Sequence, residues 1–244
     1  MGRQREYRER IYETYVSRGD SVALSFDRTA TARRARYLKP LLRGWLPESK
    51  SSDICDLASG GGEVLFALRS YGYQGLSGVD VSTEQVSSAQ QEFGSAVSQG
   101  DVVEHLASRP GAYDLLLAMD VIEHRDKEEV LPFLDACHTS LRPGGRLVLQ
   151  TPNAESPYAL GVRYGDLTDE LAFTPDSLAR VLQASSLSEI EVRECGPRPL
   201  GMASLLRTIA WKFVRAGVRL RNRIETGSPG GGVHTRVFLS SGTR

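Results

Sequence analysis

Four short clusters place acids, glycines and a histidine where they could hold a nucleoside and move a proton. Asp56-Leu57-Ala58-Ser59-Gly60-Gly61-Gly62 reads as a glycine-rich turn, where missing Cβ atoms let the backbone approach a ligand closely. Gly78-Val79-Asp80-Val81 follows, with Asp80 24 residues after Asp56. A carboxylate placed there can accept hydrogen bonds from both hydroxyls of a ribose. Gly100-Asp101-Val102 offers an acceptor for an exocyclic amine. Ala118-Met119-Asp120-Val121-Ile122-Glu123-His124 adds two more carboxylates and an imidazole, a group that titrates near neutrality and so suits general-base work. No Gly-Lys-Ser/Thr accompanies the glycines, so a nucleoside-triphosphate P-loop is not expected.

Each of these groups also has a plainer reading. His124 could cap its loop or the next helix, and Glu123 could be a structural or solvated acid. Asp120, Glu123 and His124 are of types that bind hard or borderline cations, but adjacent residues of one loop rarely converge on one ion, so no metal is expected.

The elements that must position these clusters alternate. Asp53–Leu57 reads as a strand, Glu63–Ser70 as a helix and Gly75–Val81 as a strand. Ser82 caps the next helix, with Gln85 three residues on in capping-box spacing. Ala96–Gly100 is a third, weak strand. Tyr113–Met119 is apolar without alternation, as parallel strands covered on both faces are. Lys127–Leu141 is a helix stopped by Pro143-Gly144-Gly145, and Arg146–Thr151 is a strand. Thr174-Pro175 opens a helix over Asp176–Ala184, and Glu189–Cys195 and His234–Ser240 are later strands. This βαβα rhythm predicts a doubly wound, mostly parallel sheet with the four clusters at C-terminal strand ends, on the rim where open α/β folds bind ligands. Residues 1–50 form a helical cap before it, residues 51–200 the core, and residues 201–244 a basic helix and a last strand.

In order and spacing the clusters resemble the class I S-adenosylmethionine-dependent methyltransferases. DLASGGG is similar to that family's DxGxGxG turn, GVDVS to its acidic ribose strand, GDVV to its adenine contact, DVIEH to its fourth motif and LRPGGRLVLQTPN to its fifth strand. Ala58 stands where the family usually has its first glycine, which implies a slightly tighter turn. The resemblance implies a seven-stranded Rossmann-like sheet with S-adenosylmethionine as cofactor. It implies that Gly60 and Gly62 pass the methionine portion beside Ala58, and that Asp56 reaches its amino group. It also implies that Asp80 with Val81 holds the ribose, Asp101 with Val102 the adenine, and that Met119 and Asp120 line the methionine end. Such an enzyme mainly aligns nucleophile, methyl and sulfur, with a base where the acceptor is a hydroxyl; His124 is that base. Related enzymes close an N-terminal helix over the cofactor, which here would bring in Tyr15, on one face with Tyr12.

The Pro- and Gly-punctuated stretch 152–173 is the place for acceptor contacts. Arg163 and Tyr164 could stack on or hydrogen-bond a sugar or an aromatic acceptor; Tyr164 joins His124 and Asp120 as the catalytic set. The alternative is a surface loop with solvated acids. This run, with Ala172-Phe173-Thr174-Pro175 and Glu225-Thr226-Gly227, resembles small methyltransferases of bacterial surface-polysaccharide assembly, although Asp169 stands where a histidine is expected. The reading is therefore an O-methyltransferase of a sugar hydroxyl in a polysaccharide or its precursor. The alternatives are an O-methyltransferase of a small phenolic or quinone-like acceptor, because DVIEH also resembles that branch, and a non-catalytic scaffold that binds the cofactor.

Composition narrows the field. At 40% hydrophobic and 25% charged residues, the chain is an average globular protein. It contains no apolar run of the roughly 20 residues that span a bilayer and no apolar stretch behind Met1–Arg10, so neither a span nor a secretory signal is expected. Cys55, Cys137 and Cys195 lie far apart, which suits a reducing, cytoplasmic setting. The net charge of zero divides into +6 over residues 1–50, −13 over 51–200 and +7 over 201–244. The acidic middle and the absence of Asn-Pro-Pro-Tyr or Asp-Pro-Pro-Tyr argue against a nucleic-acid partner. Ala203 to about Arg223 is a basic amphipathic helix with six basic residues and no acid. Lys212, Arg215, Arg219 and Arg223 share one face; Leu206, Ile209, Ala210, Phe213, Gly217 and Leu220 lie opposite. It could lie on anionic lipid at the inner face of a membrane, or pack its apolar face on its own chain or on a second subunit.

Overall fold

The run Leu115-Leu116-Leu117-Ala118 has no solvent exposure and lies at the centre of a seven-stranded sheet ordered β3-β2-β1-β4-β5-β7-β6. This computed structural model describes Ile11 and residues 28–244. The strands are β1 (Ile54–Leu57), β2 (Leu76–Asp80), β3 (Val97–Gln99), β4 (Tyr113–Met119), β5 (Leu141–Pro152), β6 (Ser188–Glu194) and β7 (Val237–Thr243). β1 to β5 pair in parallel, and β7 runs antiparallel to both β5 and β6.

Successive residues of a strand point to opposite faces, and each face is covered by helices. Leu57, Leu116, Ala118 and Leu149 pack with Leu106 of α4 (Val102–Ala107), Phe133 of α5 (Lys127–Ser140) and Leu178 of α7 (Pro175–Ala184). Ile54, Leu115, Leu117 and Val148 pack on the other face with Leu38 of α1 (Arg28–Leu41) and Leu68 of α2 (Glu63–Ser70). α3 (Thr83–Phe93) closes a smaller cluster through Val86 and Ala89. A short turn of helix, α6 (Leu160–Arg163), and the 25-residue α8 (Met202–Thr226) complete the described residues. No helix among them is long and apolar enough to cross a membrane.

Among the described residues the predicted elements exist, with physical reasons for the shifts; most of the helical cap expected over residues 1–50 lies outside them. The third strand is shortened to Val97–Gln99 because Gly94–Ala96 forms a 3-10 turn. The last strand starts at Val237 because His234 is tied elsewhere: its N–H donates to Glu194 at 2.7 Å and its carbonyl accepts from Ser156 at 2.9 Å. The capping box at Ser82 is half formed. Ser82 Oγ accepts from Gln85 N at 3.4 Å, but the Ser82 N–H donates to Asp80 Oδ1 at 2.8 Å. The Asp80 carboxylate takes the donor that Gln85 would have used.

The largest departure is α8. It turns Thr208, Trp211 and Val218 toward the body, and Arg215 pairs with Glu194 at 3.2 Å instead of sharing an outward basic face. Leu206, Ile209, Phe213 and Leu220 face solvent, so the packing of that apolar face on its own chain is not realised. The chain leaves β6 at Glu194, opposite Phe238, and re-enters β7 at Val237, opposite Pro152. Both junctions are at the C-terminal ends of β5 and β6, so α8 stands on the rim that carries the clusters.

Candidate active site

β1 runs into a turn held by three left-handed residues: Ala58 at φ 56°, Gly60 at φ 52° and Gly62 at φ 85°. Gly62 is also sterically required, since a Cβ there would meet Phe93 Cε2 at 2.9 Å. Ala58 has a Cβ in a conformation that costs about 1–2 kcal/mol for an L residue, so the turn is strained there and not merely tighter. Ser59 donates its N–H to Val79 O at 3.0 Å, and a Cβ on Gly78 would lie 2.8 Å from Ser59 Oγ, so the turn is seated directly on β2.

Two carboxylates face this turn. Asp56 is 2% exposed, and its Oδ2 has no hydrogen-bond partner among the described residues. Burial pushes its pKa up to about 8; the Arg34 guanidinium opposes the rise, and Asp80 and Glu63 add to it. Asp80 accepts from Gly60 N at 2.8 Å through Oδ2 and from Ser82 N at 2.8 Å through Oδ1. Each oxygen keeps a lone pair for a further donor. Burial raises Asp80 as well, against those backbone N–H groups.

The adenine candidates are partly committed to structure. Asp101 caps α4, its Oδ1 accepting from Val103 N at 2.8 Å and Glu104 N at 3.1 Å, which leaves Oδ2. Val102 is buried in the core and can offer only its backbone. Val81 is exposed beside Asp80, and Met119 is partly buried at the end of β4. Tyr15 lies outside the described residues.

Asp120 also takes a left-handed φ, 58°, as β4 ends. Gln150 of β5 holds it from both sides: Nε2 donates to Asp120 Oδ2 at 2.8 Å and the carbonyl accepts Asp120 N–H at 3.0 Å. Ile122–His124 then forms a 3-10 turn whose Glu123 carbonyl accepts from Glu170 and Leu171 at 2.8 and 2.9 Å, which ties it to the loop after β5. That loop delivers Asp169 Oδ1 to 3.2 Å from His124 Nδ1 and Thr168 Oγ1 to 3.0 Å from the same nitrogen. Thr168 Oγ1 gives its proton to Asp166 Oδ1 at 2.7 Å, so toward His124 it can only accept. Nδ1 therefore carries the hydrogen, and Nε2 is left with a free lone pair. The His124 side chain is 22% exposed and that of Asp169 5%.

Arg163 donates to the carbonyls of Asp169 and Glu170 at 2.7 and 3.0 Å and lies 5.1 Å from the Tyr164 ring. It holds the loop that carries Asp169. Tyr164 itself is 75% exposed.

The structure brings in three groups that the sequence reading did not use. Arg34 of α1, 3.1 Å from Glu63, sets its charge against both Asp56 and Asp120. Asp169 replaces the expected histidine and instead orients one. Glu123, read as structural or solvated, is 1% exposed, and burial with the nearby Asp120 charge holds its carboxyl well above the usual range. Its ligand atom lies within 4.8 Å of those of His124 and Asp169, a set of the kind that can hold a cation. Asp169 and Glu123 carried no local signal beyond their proximity to the motifs; Arg34 carried none.

An unpartnered buried carboxylate, a second one with spare lone pairs and a turn of left-handed glycines between them fit an amino-acid-bearing nucleoside. Comparison with known proteins agrees. A family model described as a methyltransferase domain matches residues 29–192, well over half of the chain. The ubiquinone biosynthesis O-methyltransferase of Cupriavidus pinatubonensis is 29% identical over 182 residues, 67% of this chain and 72% of that protein. Its namesake from Burkholderia pseudomallei is 26% identical over 194 residues, 72% of this chain and 82% of that one. Among solved structures, an S-adenosylmethionine-dependent methyltransferase from Archaeoglobus fulgidus shares the fold with a TM-score of 0.63 at 21% identity, covering 88% of this chain and 93% of its own. A Burkholderia thailandensis 1,6-didemethyltoxoflavin N1-methyltransferase, solved with its substrate and S-adenosylhomocysteine, has a TM-score of 0.60 at 19% identity and covers 100% of this chain and 91% of its own.

Proposed function

We propose, of a chain that belongs to the methyltransferase-domain family and is an S-adenosylmethionine-dependent methyltransferase, that its acceptor is a hydroxyl of a small phenolic or quinone-like molecule. The two relatives named above are ubiquinone biosynthesis O-methyltransferases, which favours this acceptor over a polysaccharide sugar. The resemblance of the 163–170 loop to polysaccharide enzymes loses force too, because Arg163 is occupied with backbone carbonyls and not turned toward an acceptor.

The observation that carries the reading is the Asp169–His124 pair. With Nδ1–H held by Asp169 and Thr168, His124 Nε2 is the free acceptor, and it takes the acceptor's hydroxyl proton as the oxygen becomes nucleophilic. Asp169 keeps the tautomer and steadies the imidazolium that results. A phenolic hydroxyl, with a pKa near 10, is within reach of an imidazole. Asp56 and Arg34 hold the methionine portion of the donor, Asp80 and Val81 its ribose, and Asp101 and the Val102 backbone its adenine. Met119 and Asp120 wall the methionine end. S-adenosylmethionine supplies a sulfonium whose methyl is already activated, so alignment is the protein's main task. On this reading residues 51–200 bind donor and acceptor, and Arg34 brings α1 to the donor's methionine end.

The test is release of S-adenosylhomocysteine with a catechol or hydroxyquinol set beside a glycan set. Turnover on the phenols alone supports the reading, and turnover on the glycans alone overturns it. His124→Ala should lower kcat by about 10²-fold or more with donor affinity nearly unchanged. Asp169→Asn should lower kcat by about tenfold or more and alter the pH profile. Unaltered turnover in His124→Ala would remove the base.

A further inference from the structure

We infer that α8 is a docking surface for an anionic lipid bilayer. The helix has two faces at helical spacing, and the mixed one, with Trp211 and Val218 among polar residues, is turned inward. Thr208, Trp211, Arg215, Val218 and Asn222 recur every three or four residues and meet the body. Thr208 Oγ1 bonds Pro197 O at 3.3 Å, and Arg215 pairs with Glu194 at 3.2 Å. On the opposite side Met202, Leu206, Ile209, Phe213, Leu220 and Ile224 form a stripe about 35 Å long facing solvent. Phe213 is 75% exposed and Ile224 78%. A surface helix of a globular protein normally buries its apolar stripe, and this one presents it.

Charge says what covers the stripe. Lys212, Arg219 and Arg223 flank it on one margin, and Arg207 and Arg221 on the other. The one acid of the helix, Glu225, is paired with Arg221 at 3.5 Å. An apolar stripe between basic margins is the pattern of helices that lie in a bilayer interface, with the arginine and lysine heads among anionic lipid groups. A second copy packed stripe to stripe would instead bring its own basic margins against these. α8 is too charged and too weakly apolar to cross the bilayer, so it lies on the surface. Because α8 stands on the rim that carries the active site, docking would open that rim toward the lipid. The inference stands apart from the identity of the acceptor.

The test is flotation of the full chain with vesicles of phosphatidylcholine alone and of phosphatidylcholine with a third phosphatidylglycerol. Recovery should rise about tenfold or more with the anionic lipid, since each basic side chain near the surface is worth about fivefold. Leu206→Glu/Phe213→Glu should lose flotation, and Lys212→Glu/Arg219→Glu should lose the preference for anionic vesicles. Both variants alter exposed residues, and an unchanged melting temperature will show that they fold. Equal recovery with both vesicles, no flotation with either, or flotation retained by Leu206→Glu/Phe213→Glu would overturn the inference. A dimer in size-exclusion chromatography that this last variant dissolves would overturn it in favour of a second copy.

Discussion

On the proposed reading, Asp56 is the residue at which burial and charge most directly shape donor binding. Its pKa is pushed up to about 8 by burial, so below that pH the free protein holds it protonated. Facing an ammonium requires the carboxylate, so donor binding releases a proton at lower pH. Above about 8 the donor's own amino group, an α-amine of ordinary pKa, loses its charge. Donor affinity should therefore rise with pH, peak near 8 and fall beyond, as titration calorimetry across pH can show. Asp56→Asn should lack the rising limb; a parent whose affinity is flat from pH 6 to about 8 would remove Asp56 from the donor's amino group. Ala58 is strained at the same turn. Ala58→Gly should relieve the left-handed strain, less the added freedom of the unfolded glycine. A net gain of up to about 1 kcal/mol, or about 2–4 °C in melting temperature, is expected.

At the scale of elements, the strand ends deliver the groups: β1 Asp56, β2 Asp80, β3 Asp101, β4 Asp120 and its His124. β5 delivers Gln150 and the loop that brings Asp169. The placements of Asp56, Asp80, Asp101, Asp120 and His124 are local consequences of where a strand stops, and they were legible in the sequence as short motifs; those of Gln150 and Asp169 were not. The orientation of α8 was not. Its period is readable, but the wheel alone does not say which face meets the body, because Arg215 looks like any other basic residue until Glu194 arrives at 3.2 Å. Stability should follow the observed orientation. Trp211→Ala, on the docked face, should cost about 2 kcal/mol, less than a fully buried tryptophan would. Phe213→Ser, on the exposed stripe, should stay within about 0.5 kcal/mol. Thermal melts of the two variants separate the inward face from the outward one.

The whole molecule is a sheet buried on both faces with its chemistry gathered on one rim, and α8 is inserted on that rim between β6 and β7. Donor binding to such a rim ties β1, β2 and β4 together, so the folded state gains by mass action. At a donor concentration 100 times its dissociation constant, the gain is about 2.7 kcal/mol, or roughly 5–11 °C in melting temperature. Asp80→Ala removes the acceptor shared by Gly60 and Ser82 and, on the proposed reading, by the ribose, and should abolish most of that shift in a thermal-shift titration. A full shift in the variant would move the ribose elsewhere.

The strands, the glycine turn and the order of the acids could be read from the chain because each depends on neighbours a few residues away. Alternation, turn residues and capping are written locally. What the tertiary structure alone decided are the meetings across long separations: Arg34 with Asp56, Asp169 with His124, and the turning of α8 with its apolar side outward. Such pairings depend on how distant segments pack, and no local pattern of residue types encodes that packing.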